Sequence, residues 1–240
     1  MIYIQKNEHD IPHHFDCACA MYGAIELGLD YKLISFEEVQ KGKWDNLIKS
    51  NLFVGSVEFM TEVFNRIGIV QPKLPLNNLR PFEETKLKDF DYKYPVFIKP
   101  KSIKAFTGFV VDEYSKSMLN TLDSDLDIII QDVIDIESEW RCYIFRNKIV
   151  DIRHYSGKMD VNLISAINNF DKLNDPILKT FPETFVMDIG FYNNCERYTI
   201  IEFNDMWAIG NYGVSNDLYV RMLKDRYFDI IKNFKKTIGI

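Results

Sequence analysis

The feature that most constrains the fold is a pair of strand-like segments near the end of the chain, residues 185–191 and 199–205. Both are rich in apolar residues, and polar, turn-forming residues separate them. Side chains alternate across a strand, so Glu202 and Asn204 point to one face of the second segment. If five of the turn-forming residues make the loop of a hairpin, Asp188 lies directly opposite Glu202. The hairpin therefore predicts three oxygen-bearing side chains on one face.

Two interpretations of this face remain open. Carboxylate and amide oxygens are ligands that a hard cation such as Mg²⁺ prefers. Two carboxylates that face each other also repel unless a cation lies between them. In the alternative interpretation, this is an edge strand whose polar side chains face water. The first interpretation predicts a metal site formed by Asp188, Glu202 and Asn204, and the second predicts no ligand.

The composition narrows the class of protein. The chain has 240 residues, of which 47% are hydrophobic and 14% aromatic, as expected for one large globular domain or two to three small lobes. A net charge of −6 argues against a general nucleic-acid partner, which needs a basic face. The four cysteines form no CxxC pair, and no signal peptide or membrane-length apolar run is present. We therefore expect a cytoplasmic protein with no nucleic-acid or membrane partner.

The first 72 residues alternate short apolar strands with helical patterns. The predicted strands are at 2–4, 31–35 and 51–55, and the predicted helices are at 17–29 and 57–67. This alternation predicts a small Rossmann-like α/β lobe with a parallel sheet. The spacing of His9, His13, His14, Cys17 and Cys19 matches no zinc pattern, so we assign them no chemistry.

Punctuation and periodicity organise the remainder. Residues 71–91 are rich in proline, asparagine and charge, which predicts a linker followed by a short helix or turn at 83–88. Apolar residues at helical spacing predict further helices at 112–122, at 159–173 and from 215 to the end.

A lysine-rich loop joins two short apolar strands in the middle of the chain. It contains Lys99, Lys101, Lys104, Thr107 and Gly108. Ammonium groups supply charge and the backbone N–H groups of a Thr-Gly turn can point at an anion, so the loop is a candidate phosphate site. It is not a Walker A loop, because the G-x-x-x-x-G-K pattern is absent. The alternative is a solvated hairpin loop with ordinary surface lysines.

A buried strand at 126–130 leads into an extended segment with acids beyond it. The segment contains Gln131, Asp132, Val133, Glu137 and Glu139. Its exposed backbone and acids are suited to adenine edges and ribose hydroxyls. A plain connector explains the same pattern, and spacing does not decide between the two.

A second predicted hairpin, residues 139–145 and 148–155, carries Arg141 and Arg153. Whether the two arginines share a face depends on the loop length, because a one-residue slip turns every side chain to the other face. If they share a face, two guanidinium groups converge and an anion is needed between them. A structural role in bonding acids on neighbouring strands is the alternative for Arg153.

In this order and spacing, the motifs resemble the ATP-grasp superfamily over roughly residues 94–240. The residues that carry the resemblance are Lys99, Lys104, Thr107, Gly108, Gln131, Asp132, Val133, Glu139, Arg141, Asp188, Glu202 and Asn204. The resemblance implies a mixed α/β (α+β) fold in which two α/β lobes grip ATP. It implies a variable α/β lobe at 1–72, a small lid subdomain at 73–134 and a large subdomain with the metal site at 135–240. The short length, the lysine-rich loop and the turn at 211–213 are similar to a compact phage and bacterial clade with mostly unassigned substrates.

The resemblance also implies a role for each candidate residue. The residues expected to bind ATP phosphates are Lys99, Lys101, Lys104, Thr107 and Gly108. The residues expected to meet adenine are Gln131, Asp132 and Val133, with Glu137 or Glu139 at the ribose. The expected ligands of Mg²⁺ or Mn²⁺ are Asp188, Glu202 and Asn204. The expected catalytic residues are Arg141, Lys104 and Arg153.

The implied reaction is ATP-dependent ligation of a carboxylate and an amine through an acyl phosphate, releasing ADP and phosphate. Phosphoryl transfer depends on positioning and charge neutralisation, so it needs no nucleophilic side chain. The substrates would be a small molecule, an amino acid or a peptide. Two alternatives remain: a small-molecule kinase built on the same fold, and a catalytically silent nucleotide-binding or protein-interaction module.

Overall fold

The computed structural model of the protein describes residues 1–70, 74, 80–101, 105–159, 162–163 and 180–237. Within these residues the strands form three separate sheets, one parallel and two antiparallel. The predicted mixed α/β architecture is therefore confirmed. No helix in the described part of the chain is long and apolar enough to cross a membrane.

The first lobe is built on a parallel sheet. Its elements are β1 (Ile2–Gln5), α1 (Phe15–Glu26), β2 (Tyr31–Ile34), α2 (Phe36–Gln40), α3 (Asp45–Ile48), β3 (Leu52–Val54) and α4 (Val57–Asn65). The strand order is β2–β1–β3 and both pairings are parallel, as predicted. The short helices α2 and α3 were not predicted. At the start of α2, Ser35 and Glu38 each accept the other's backbone N–H, with N···O distances of 3.0 and 3.2 Å. Reciprocal capping, rather than an apolar stripe, marks this helix.

The second sheet is small and antiparallel. Its strands are β4 (Glu83–Lys86), β5 (Val96–Pro100), β6 (Phe109–Val111) and β7 (Asp127–Gln131), in the order β4–β7–β5–β6. The helix or turn expected at 83–88 is wrong: β4 is an exposed edge strand held by backbone pairing to β7, and a 3₁₀ turn, Leu87–Asp89, follows it. The helix expected at 112–122 is also wrong, because a 3₁₀ segment, Ser115–Thr121, forms instead. There the carboxylate of Asp112 accepts the backbone N–H of Ser115 at 2.7 Å, a local bond that competes with α-helix formation.

The third sheet is larger and antiparallel. Its strands are β8 (Ser138–Phe145), β9 (Lys148–Gly157), β10 (Phe185–Tyr192) and β11 (Arg197–Asp205), in the order β11–β10–β8–β9. A two-residue turn, Arg146 and Asn147, joins β8 to β9, and both residues have positive φ values of 53° and 63°. That backbone matches the right-handed twist of a hairpin. Both predicted hairpins are therefore confirmed.

The core is divided unequally among these parts. One continuous core joins the first lobe, one face of the large sheet (Tyr143, Val186) and the C-terminal helix α5 (Asn216–Thr237). The other face of the large sheet has its own apolar cluster, and the small sheet has a third. Helix α5 lies so close to α1 that a Cβ atom on Gly23 would stand 2.2 Å from the carbonyl oxygen of Asn216. Only glycine permits that approach.

Two expectations fall mainly on residues that the structure does not describe. The predicted linker at 71–79 lies outside the described residues except for Leu74. The predicted helix at 159–173 has only residues 159, 162 and 163 within the described ranges.

Candidate functional site

The candidate site lies on the face of the large sheet that is turned toward the first lobe. In the strand registers, Arg141 is directly opposite both Arg153 and Asp188, and Asp188 is directly opposite Glu202. Residues directly opposite each other share a face of the sheet. Asn204, two residues beyond Glu202, joins the same face. The register predicted for Asp188 and Glu202 is therefore confirmed.

A β-bulge is needed to produce that register. The hairpin loop is one residue shorter than predicted, because Tyr192 already pairs with Arg197. The register then shifts between Asp188 and Ile189, so that Glu202 returns to its place opposite Asp188. Bulges are frequent next to functional sites because they re-aim side chains.

Asp188 and Arg141 form a buried, bidentate ion pair. The Nε of Arg141 donates to Oδ1 of Asp188 at 2.8 Å, and Nη2 donates to Oδ2 at 2.7 Å. Their side chains are 2% and 6% exposed, respectively. Burial raises the pKa of Asp188, and the hydrogen bonds of Arg141 act in the opposite direction. For Arg141, burial opposes the charge, but the hydrogen bonds of Asp188 outweigh it and raise the pKa. Each partner therefore compensates for a charge that would otherwise be buried alone.

The amide of Asn204 brings the carboxylates together. Its Nδ2 donates to Oε1 of Glu202 at 2.7 Å and approaches Oδ2 of Asp188 at 3.4 Å. A half-turn of the amide presents Oδ1 to the same point. Two carboxylates and one amide oxygen are then available, a donor set that fits Mg²⁺ or Mn²⁺. Among the described residues, no group of three or more His, Cys, Asp and Glu side chains is placed to hold a metal ion. The candidate thus depends on an amide as its third ligand.

Arg153 shares the face but not the ion pair. Its Nε and Nη2 donate to Oδ2 of Asp151 on the same strand, at 3.0 and 2.6 Å. Its side chain is 42% exposed. Each arginine on this face therefore has its own carboxylate, and the described contacts of Arg153 are structural.

Two tyrosines that sequence reasoning missed cover the guanidinium of Arg141. Tyr155 and Tyr212 stack with ring centroids 5.1 Å apart. The Cζ atom of Arg141 lies 4.3 Å from the ring centroid of Tyr212 and 5.9 Å from that of Tyr155. Tyr212 has a φ of 47°, an uncommon value for a bulky residue that is often associated with function. The glycines at 210 and 213 were a signal of this unusual turn.

Lys99 faces the carboxylates from the small sheet. Burial lowers its pKa, the charge of Glu202 raises it, and the charge of Arg80 lowers it. Lys99 and Glu202 therefore lie within each other's electrostatic field, although they belong to different sheets. This arrangement brings together the lysine and the acidic trio that the sequence singled out separately.

Arg80 is a second residue that sequence reasoning missed. It lies in the stretch interpreted as a linker, and its Nη2 donates to the backbone carbonyl oxygen of Asp132. Burial lowers the pKa of Arg80, while the charge of Asp132 raises it. Arg80 thus connects the extended segment after β7 with the surroundings of Lys99. An arginine directly before a strand was the only available signal, and the polar composition obscured it.

The other members of the lysine-rich loop are spread out. Lys101 donates to Oε2 of Glu84 at 2.5 Å, and Thr107 is exposed. A Cβ atom on Gly108 would lie 3.1 Å from Cβ of Lys99, so glycine allows the turn to fold against β5. Lys104 lies outside the described residues.

The extended segment after β7 divides its candidates. Gln131 is buried, whereas Asp132 and Val133 are exposed. Glu139 accepts the hydroxyl of Tyr155 at 2.8 Å, and its charge raises the pKa of Asp188, so it belongs to the group on the large sheet. Glu137 lies apart, because its carboxylate accepts the backbone N–H of Asn194 at 2.6 Å and the ammonium of Lys158 at 2.5 Å. The adenine and ribose roles stay predictions.

Comparison with known proteins agrees with this architecture. A family of ATP-grasp domains, the second family of its clade, matches residues 78–222. No curated protein matches the sequence.

Several solved structures share the fold at low sequence identity. A D-cycloserine synthetase superposes with a TM-score of 0.57 at 10% identity, over 95% of this chain and 99% of that one. An L-amino acid ligase from Bacillus licheniformis gives 0.55 at 13% identity, over 94% of this chain and 74% of that one. D-alanine–D-alanine ligase from Bacillus anthracis, in complex with ATP, gives 0.50 at 13% identity, over 97% and 98%. The ATP-grasp fold expected from the motifs is therefore confirmed.

Proposed function

The chain belongs to the ATP-grasp superfamily, and we propose that it is an ATP-dependent carboxylate–amine ligase that releases ADP and phosphate. The observation that carries this proposal is the opposition of charges across two sheets. Lys99 on the small sheet lies in the field of Glu202, which belongs to the trio on the large sheet. A magnesium-bound triphosphate is complementary to such a pair of surfaces.

The proposed roles follow from the chemistry of the side chains. Lys99 and Arg80 bind phosphate oxygens, because both carry positive charge in the same half-buried region. Asp188, Glu202 and Asn204 hold Mg²⁺, since their oxygens form a hard donor set. When bound, Mg²⁺ supplies charge that offsets the negative charge of the phosphate oxygens. Lys104 remains a proposed catalytic residue from the resemblance.

Arg141 has a different proposed role from the one expected from sequence. Asp188 accepts hydrogen bonds from both its Nε and its Nη2, and its side chain is almost fully buried. We therefore assign Arg141 to the positioning of Asp188 rather than to direct contact with the transferred phosphoryl group. Arg153, which is more exposed, is the arginine of this face that a substrate can reach.

The proposed reaction has two bond-forming steps. A carboxylate oxygen of one substrate forms a bond to the γ-phosphorus of ATP as the bond to ADP breaks. The amine of a second substrate then attacks the acyl carbon, phosphate leaves with that oxygen, and the amine releases a proton to solvent. Neighbours that ligate amino acids support an amino acid, peptide or similar small molecule as the substrate.

Nucleotide binding is the first test. Saturating Mg-ATP, at about 100 times its Kd, stabilises a protein by about 2.7 kcal/mol, which a thermal melt detects. We expect this shift in the wild type and its loss in Glu202→Ala and Asn204→Ala. Glu196→Ala is the matched control, because Glu196 is an exposed acid in the loop of the same hairpin. A shift that persists in the Glu202 and Asn204 variants would show that the metal assignment is wrong.

Hydroxylamine trapping separates a ligase from the alternatives. An acyl phosphate reacts with hydroxylamine to give a hydroxamate and phosphate, so hydroxylamine replaces the unknown amine. We would incubate the protein with Mg-ATP, hydroxylamine and pools of amino acids or short peptides, and measure ADP and hydroxamate together. Equal amounts of both support the ligase. ADP release that requires a hydroxyl acceptor and yields no hydroxamate supports the kinase, and binding of Mg-ATP without ADP release in any pool supports the silent module.

A further inference from the structure

The first lobe contacts the candidate site through a single carboxylate at the start of α1. The Oδ1 atom of Asp16 accepts the backbone N–H of Asn211 at an N···O distance of 2.7 Å. Asp16 lies in the first turn of α1, where the helix dipole favours a negative charge. Asn211 belongs to the turn at 210–213, which covers Arg141. No local pattern connects Asp16 with that turn, since 195 residues separate it from Asn211.

The carbonyl groups of this turn accept donors from the large sheet. Arg141 Nη1 lies 3.4 Å from the carbonyl oxygen of Gly210, and the hydroxyl of Tyr143 donates to the carbonyl oxygen of Asn211. The same turn places the ring of Tyr212 over the guanidinium of Arg141. The position of the turn therefore determines where the guanidinium can lie.

The turn is held in a conformation that it would not adopt alone. Tyr212 and Gly213 have φ values of 47° and 91°. Asn211 is 1% exposed, and among the described residues its side-chain Nδ2 has no hydrogen-bond partner. Strained backbone and an unsatisfied buried amide persist only where the surrounding contacts impose them. Asp16 supplies one of those contacts from another lobe.

We propose that Asp16 is a positioning residue for the metal site, acting through the turn at 210–213 and Arg141 on Asp188. The chain of contacts is continuous: Asp16 holds Asn211, the turn holds Arg141, and Arg141 grips both oxygens of Asp188. This inference rests on the proposed function, because it assumes that Asp188 is a metal ligand. It gives the first lobe a part in the chemistry beyond packing.

A control for simple attachment of the lobe lies at the other end of the same helix. Oε1 of Glu26, the last residue of α1, lies 3.3 Å from Nδ2 of Asn216 at the start of α5. Asp16 and Glu26 therefore both connect α1 to the last part of the chain, but only Asp16 contacts the turn. If attachment alone mattered, loss of either carboxylate would have the same effect.

The test measures binding of Mn²⁺ by the full chain without nucleotide, using electron paramagnetic resonance of free Mn²⁺. We expect Asp16→Ala to weaken the affinity on the order of tenfold, the low end of the range for residues that orient metal ligands. Asp16→Asn keeps a side-chain oxygen to accept the N–H of Asn211, so it should bind close to wild type. Glu26→Ala should bind as wild type, and Glu202→Ala should lose binding.

Each outcome bears on a different part of the proposal. If Asp16→Ala binds Mn²⁺ like wild type while Glu202→Ala does not, the positioning role is overturned and the metal site stands. If Glu26→Ala weakens binding as much as Asp16→Ala, the role is attachment and the inference is again overturned. If wild type binds no Mn²⁺, or Glu202→Ala binds normally, the metal site of the proposed function is wrong and the inference fails with it. Should Asp16→Ala not fold, Asp16→Glu moves the acceptor by one methylene and takes its place.

Discussion

The two sides of the candidate site are stabilised in different ways. The acidic trio lies on a sheet whose inner face shares one large core with the first lobe and α5. Lys99 lies on a sheet whose own cluster of fully buried apolar residues is small. Those residues are Leu87, Ile98, Val111, Ile128 and Ile130. The metal-binding side is thus part of the main body of the protein, whereas the lysine side depends on a separate and much smaller core.

This difference indicates how the site responds to a ligand. Segments with few buried apolar contacts open at lower free energy than a large shared core. The small sheet is therefore the part expected to loosen and move first. A ligand that contacts Lys99 and Glu202 together would tie the weaker part to the stronger one. The predictions below test this contrast, starting with the largest effect.

Truncation of one buried residue in each core should give different patterns of unfolding. Phe64 and Ile98 are both fully buried, Phe64 in the shared core and Ile98 in the small one. Phe64→Ala should lower the free energy of global unfolding by about 3–5 kcal/mol. Ile98→Ala, at about 2–5 kcal/mol by the same principle, should exceed what the small core can lose and open that sheet alone. Hydrogen exchange followed by mass spectrometry measures both. Equal loss of protection across the chain in Ile98→Ala would show that the two cores unfold together.

A pair of tyrosine-to-phenylalanine variants should separate the two sides at smaller scale. Tyr143 is fully buried and its hydroxyl donates to the carbonyl oxygen of Asn211, so Tyr143→Phe leaves a buried acceptor unsatisfied. The expected cost is about 1–3 kcal/mol. On the small sheet, the hydroxyl of Tyr92 donates to the exposed carboxylate of Glu83, and Tyr92→Phe should change stability by less than about 0.5 kcal/mol. Urea denaturation measures both, and equal effects would remove the contrast.

The electrostatic link between the two sides can be measured at Lys99. The charge of Glu202 raises the pKa of Lys99, so Glu202→Gln should lower that pKa. Lys99 would then react faster with an amine-selective acylating reagent at a fixed, mildly alkaline pH. Glu84→Gln is the control: it removes the partner that raises the pKa of Lys101 and should leave Lys99 unchanged. An unchanged labelling rate for Lys99 in Glu202→Gln would mean that the two sides do not interact.

The smallest expected effect is a pH dependence that arises in the first lobe. Burial lowers the pKa of His14, and the charge of Asp16 offsets this in part. Below the ordinary histidine pKa of about 6.5, the unfolded chain therefore binds more protons than the folded protein, and stability falls as the pH drops through that window. Protonation also removes the acceptor with which the His14 ring caps α1, because Nδ1 accepts the backbone N–H of Cys17 at 3.4 Å.

The variant His14→Asn keeps a capping side chain without a titrating group. Its stability should therefore vary less than that of wild type between about pH 7 and pH 5. Urea denaturation at several pH values measures the slope. His9→Gln, at an exposed position, is the control and should retain the wild-type slope. A slope that survives in His14→Asn would assign the effect to other groups.

Sequence reasoning found the trio because alternation along a strand is a strong constraint. It placed Asp188 opposite Glu202 by assuming a five-residue loop, whereas the structure has a shorter loop and a bulge. The two differences cancel, so the pairing was correct for an incomplete reason. No residue in the hairpin announces the bulge, because it arises from the fit of β11 against its neighbour rather than from a local preference.

Other elements were missed because their stability is not local. β4 is an exposed, polar edge strand, and only backbone pairing to β7 defines it. Arg80 belongs to the site because the chain folds it back onto the carbonyl oxygen of Asp132. The contact of Asp16 with Asn211 likewise joins the beginning and the end of the chain. Alternation and capping are readable in a single sequence, but contacts between distant segments are not.

The close packing of α1 against α5 has a consequence for biosynthesis. Translation makes α1 early, yet the helix that covers it at Gly23 is among the last parts to leave the ribosome. Until then, the apolar surface that α5 buries stays open to solvent, where a nascent chain is prone to aggregate or to recruit a chaperone. The turn over Arg141 directly precedes α5, so the catalytic centre is assembled only as synthesis finishes. Ribosome-stalled fragments that stop before α5 should therefore remain inactive even though every metal ligand has already been made.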